Sequence, residues 1–120
     1  MKKDVRTAWR KLRDDLREEY RDTKYAEDAL TELSNAYSTL PEDEREVVDE
    51  LLGEWALASD DLRFDALFLI GEHRITATIP ALRRLARRLE DSSDAMAISK
   101  WGLVNGIIGE LTDERHAEEQ

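Results

Sequence analysis

Apolar positions recur at spacings of three and four along most of the chain, and that period predicts six amphipathic helices. The first runs from about Lys3 to Tyr20, with Val5, Trp9, Leu12, Leu16 and Tyr20 on one stripe. Lys3, Arg6, Arg10, Arg13, Arg17 and Arg21 lie on the adjacent stripe, which reads as a solvated, partly paired face or as a basic strip for an anionic partner. Asp22 or Thr23 can cap the second helix, which carries Tyr25, Ala29, Leu30, Leu33, Ala36, Tyr37 and Leu40 to about Thr39. Pro41 closes that helix and opens the third, which extends to about Ala58. Glu42, Asp43 and Glu44 in its first turn suit the helix dipole. Val47, Val48, Leu51, Leu52 and Trp55 form its inner face, while Asp43, Glu46, Asp49, Glu50 and Glu54 form the opposite one.

The fourth helix, Leu62 to about His73 with Asp60 or Asp61 as cap, is apolar nearly all round. Leu62, Phe64, Ala66, Leu67, Phe68, Leu69 and Ile70 are therefore expected to make a central helix buried on more than one side. The fifth begins near Ala77 with Pro80 in its first turn. It turns Ile79, Leu82, Leu85, Ala86 and Leu89 inward and Arg83, Arg84, Arg87 and Arg88 outward. The sixth spans about Asp94 to Leu111, with an apolar stripe at Ala97, Trp101, Val104, Ile108 and Leu111, widened by Leu103 and Ile107. Its other stripe is small: Ala95, Ser99, Gly102, Gly106 and Gly109. An interior helical glycine costs about 1 kcal/mol relative to alanine, so this run points to close packing by another helix or another protein. Residues 112–120 are polar and are expected to fray as a tail behind a single domain, 1–111.

Composition narrows the class. The chain has 120 residues, 38% of them charged, two prolines, five glycines and no cysteine. Period-two alternation is absent over any length, which argues for an all-α fold. The missing cysteine removes disulfide scaffolds, thiolate metal sites and thiol catalysis together. No apolar run approaches a membrane span and the N-terminus lacks a leader's apolar core, so a cytoplasmic protein that does not enter the membrane is expected. The net charge of −10 is unevenly spread: +3 over residues 1–24, −11 over 25–61, +3 over 62–90 and −5 over 91–120. Phosphate is repelled by that overall field, so nucleic-acid binding through the Arg stripes is the weaker reading and a basic partner the stronger one.

Catalytic signatures are missing. His73 and His116 are the only histidines, and no metal-binding HExxH, phosphate loop or calcium loop occurs. Asp49 and Glu50 beside Glu46 and Glu54 give carboxylates at helical spacing, but on an outer face where a metal site is poorly formed. The expectation is a non-enzyme without catalytic residues, metal or cofactor.

The helix junctions near Asp22, Asp60 and Asp91 are separated by 38 and 31 residues, the range of helical-hairpin repeats. The run Asp60-Asp61-Leu62-Arg63-Phe64-Asp65-Ala66-Leu67 resembles the HEAT-repeat junction, with an aspartate ahead of an apolar residue, an arginine and then an alanine. Ile79-Pro80-Ala81-Leu82-Arg83-Arg84-Leu85 resembles the start of a HEAT first helix. The likeness covers about the last two-thirds of the chain. It implies a right-handed α-solenoid of about three antiparallel hairpins, six helices in all. It also implies a protein-binding function, of which small bacterial immunity proteins that neutralise a cognate toxin are the nearest kind. Asp43, Glu46, Asp49, Glu50 and Glu54 are then the expected contact surface for a basic toxin domain. Ser99, Gly102, Asn105, Gly106 and Gly109 are the alternative surface, for a homodimer.

Overall fold

The computed structural model describes residues 4–21, 27–93 and 96–119. Among them are six α-helices and no strand: α1 (Val5–Glu19), α2 (Glu27–Ser38), α3 (Glu42–Ala56), α4 (Asp60–His73), α5 (Ile79–Glu90) and α6 (Ala97–Glu119). A short 3-10 turn, Thr76–Thr78, precedes α5. The expected all-α class and helix count are both found. Lys3, Asp22, Thr23, Tyr25, Asp94 and Ala95, to which the sequence assigns caps or faces, lie outside the described residues. The chain divides into two compact units, Met1–Leu51 and Leu52–Gln120, with the division falling inside α3.

In the first unit, α1 starts at Asp4, whose carboxylate accepts from the Thr7 amide at 3.1 Å and from the Thr7 hydroxyl at 2.6 Å. That satisfies one of the orphan donors of the first turn. Helix α1 packs on α2, and Trp9, Leu16, Ala29, Leu33, Tyr37, Val48 and Leu51 are buried. The basic stripe of α1 is less uniform than its spacing implies. Arg13 is buried and its guanidinium holds Asp14 at 2.9 Å, while Arg10 pairs with Asp14 and Lys11 with Asp15 on the exposed side. A long aliphatic stem lets arginine enter an interior that a short cation could not.

In the second unit, α5 packs extensively on α6 and α4 touches α6 lightly. Leu52, Ala56, Ala66, Leu69, Ile70, Leu82, Leu85, Val104 and Leu111 are the best-buried apolar side chains. The cap of α4 is Ser59, which accepts from the Leu62 amide, rather than Asp60 or Asp61, which form the first turn. Arg63 ties this junction together. Its Nε donates to the Ala56 carbonyl at 2.8 Å, Nη2 to the Ala58 carbonyl at 3.4 Å and Nη1 to Asp60 at 2.8 Å. Arg88 adds a bond to the Leu57 carbonyl at 3.0 Å. The carbonyls at the end of a helix have no partner within it, so two arginines complete α3.

Three expectations about packing are corrected. Helix α4 is not buried all round: Asp65, Ala66, Leu69 and Ile70 face inward, whereas Phe64 and Phe68 are exposed. Burial follows the side that neighbouring helices reach, and α4 has more apolar positions than that side can hold. On α6 the buried seam is Ala97, Val104 and Leu111 at a spacing of seven. Trp101 and Leu103, on its two flanks, are exposed. The helix also continues past Leu111 to Glu119, there being no glycine or proline after Leu111 to stop it.

The glycines sort differently from their sequence pattern. A methyl group at Gly102, Gly106 or Gly109 would meet nothing within 4 Å among the described residues, so no described helix packs close against that stripe. At Gly53 it would meet the Ala81 Cβ at 3.4 Å and the Thr78 methyl at 3.9 Å. The glycine that faces a neighbouring segment is therefore the one in α3, where a methyl would make ordinary contact with α5 and the turn before it. Gly53→Leu is expected to destabilise the fold by about 1–3 kcal/mol through overpacking. Gly106→Ala is expected to stabilise it by about 0.5–1 kcal/mol. Urea unfolding followed by circular dichroism measures both. In the same assay Arg63→Met should cost about 2 kcal/mol. Arg63→Lys should restore only part of it, because an ammonium cannot fork between two carbonyls and a carboxylate.

Candidate functional site

The most one-signed surface in the first unit is the outer face of α3. Helix geometry puts Glu42, Glu46 and Glu50 four residues apart on it, with Asp43 beside them. All four side chains are exposed. Glu54, one turn further along the helix, is exposed as well. Adjacent carboxylates at this spacing repel mildly. The one basic residue of the stretch, Arg45, has its guanidinium drawn toward the end of α2. Arg45 donates through Nη2 to the carbonyls of Leu40 at 3.2 Å and Ser38 at 3.4 Å. Its guanidinium carbon lies 5.4 Å from the centroid of the Tyr37 ring. Arg45 Nε is buried with no hydrogen-bond partner, and attraction to the ring face helps offset that loss of hydration.

Asp49 departs from the expected surface. It is half-buried and accepts from the Tyr37 hydroxyl at 2.5 Å, so it serves the interior more than the outer face. Tyr37 is the hub of this unit: its ring meets Trp9 edge-on at 6.4 Å, takes Arg45 over its face, and gives its hydroxyl to Asp49. A buried phenol needs such a partner. Nothing in the sequence pattern pairs Tyr37 with Asp49, which lie 12 residues apart across Pro41, beyond the reach of a helical period. A cleft of about 340 Å³ between Glu42, Arg45, Glu46 and Asp49 opens beside this cluster.

The alternative surface on α6 is open. Ser99, Gly102 and Gly106 are exposed, Asn105 and Gly109 are partly so, and the Asn105 amide donates to the Trp101 carbonyl of its own helix at 3.1 Å. His73, at the end of α4, is half-buried. Among the described residues no group of three or more His, Asp or Glu side chains is placed to hold a metal, and no helix is long and apolar enough to cross a membrane. Comparison with protein-family models, curated proteins and solved structures finds no match to this chain.

The two described tyrosines have displaced titrations. Burial, then the bond to Asp49, pushes the Tyr37 phenol well above its usual 10. The bond from Tyr20 to Glu32, at 2.6 Å, is the main cause that pushes the Tyr20 phenol up to about 12. A group whose pKa is raised on folding stabilises the fold fully below its unfolded value and loses that contribution as pH rises through the folded one. Stability should therefore hold up to about pH 10 and fall above it, as the unfolded phenols ionise first. An absorbance titration at alkaline pH should show Tyr20 ionising near 12 and Tyr37 still later, and Tyr37→Phe should remove the later step.

Proposed function

We propose that this chain is a non-catalytic protein-binding module that captures a basic partner through the outer face of α3. One observation carries the reading: Glu42, Asp43, Glu46 and Glu50 are exposed together while Arg45, the cation among them, is folded inward onto carbonyls and an aromatic ring. A one-signed face raises the association rate with an oppositely charged partner and does so most at low salt. The HEAT-like junction at Asp60 to Leu67 favours a small α-solenoid, and with it a cytoplasmic bacterial immunity protein whose target is a basic toxin domain. The absence of a recognisable catalytic constellation in the sequence is in keeping with that role.

Glu46→Lys combined with Glu50→Lys leaves the apolar face of α3 untouched and reverses the outer field. Affinity for the partner isolated on the immobilised chain should fall at least tenfold, about 1.4 kcal/mol. The salt dependence of binding should fall with it. Calorimetry or surface-based binding at two salt concentrations measures both, and an affinity left unchanged would exclude the α3 face as the interface.

A further inference from the structure

We propose that the apolar groove between α4 and α6 is closed by the same groove of a second copy of this chain. The groove has a volume of about 340 Å³. Phe64 and Leu103 form its lips, and Leu67, Leu89 and Val104 lie between them. It exists because α4 touches α6 only lightly. Phe68 continues the α4 lip one turn on, and Met96 lies directly before α6. Phe64 is 61% exposed, Phe68 38%, Met96 58% and Leu103 57%.

The area matches what a dimer needs. With full side chains of roughly 150–200 Å² each, these four residues leave about 300–400 Å² of apolar surface in water. A standard interface takes roughly 800 Å² from each partner, a little over half of it apolar. Leu67 and Leu89, partly exposed at the floor, add to that apolar surface.

Charge selects this face over the others for self-association. A two-fold interface places one patch against itself, so a patch of a single sign repels its own copy. The outer face of α3 is acidic, and the outer face of α5 carries exposed Arg83, Arg84, Arg87 and Arg88. The groove rim carries both signs: Asp60, whose well-exposed carboxylate accepts from Arg63 at 2.8 Å, and Lys100, 3.7 Å from it. Across a two-fold axis Asp60 of one copy can meet Lys100 of the other, and the reverse, which one-signed faces cannot do.

This inference stands apart from the capture of a basic partner, which uses α3. The two respond oppositely to salt. Each copy carries a net charge of −10, so screening strengthens the dimer while it weakens capture by the acidic face. Sedimentation equilibrium of the full chain, from micromolar to millimolar, should show a dimer of 13.9 kDa protomers that tightens from low to high salt. Phe64→Glu and Leu103→Glu sit at exposed positions, and their folding is checked by circular dichroism. Each should weaken dimerisation at least 30-fold, the loss of a central interface residue. Glu46→Lys with Glu50→Lys should leave the dimer in place. A chain that stays monomeric throughout, whether or not its groove takes a synthetic amphipathic helix, would overturn the proposal. So would a dimer that both groove variants leave unchanged.

Discussion

The end of α3 is the point on which the second unit depends. A helix leaves its last carbonyls without internal partners, and a turn of only three residues separates Ala56 from the start of α4. Water could satisfy those carbonyls only by loosening the turn. Arg63 and Arg88 satisfy them instead, from the next helix and from the one after it. The same bonds fix where α4 and α5 lie against α3, and Gly53 faces Ala81 of α5 there. Side-chain hydrogen bonds to backbone thus set the geometry that the buried leucines then fill.

Charge is handled by sorting more than by pairing. The first unit turns Arg13 and Arg45 inward and leaves the acids of α3 in water. Arginine permits this because its stem is apolar and its planar group can bond carbonyls and stack on a ring. In the second unit the arginines of α5 face out and the apolar lips of α4 and α6 stand beside a rim of mixed sign. One chain therefore presents an exposed acidic face on α3 and an apolar groove between α4 and α6.

Helices were legible in the residues because their signals are local. Periodicity of three and four, Pro41 after Leu40, and the acidic first turns of α3 and α4 each act within one or two turns. The cap of α4 lies one residue before the expected Asp60 or Asp61, because serine and aspartate both cap well and the sequence alone does not choose between neighbours. The acidic stripe of α3 was legible too, apart from Asp49. What withdrew Asp49 from that stripe is Tyr37, a residue of another helix.

The amino-acid sequence by itself determined which segments are helical, where they break and how charge is distributed along them, because propensity, capping and sterics act between near neighbours. Tertiary structure alone decided which apolar residues are core. Asp65 lies inside while Phe64 and Phe68 lie outside, since a helix buries the side its neighbours reach and not its most hydrophobic positions. It likewise decided that Gly53, and not the stripe of Gly102, Gly106 and Gly109, faces a neighbouring helix. Spacing records which residues share a face; only the position of the next helix records what that face meets.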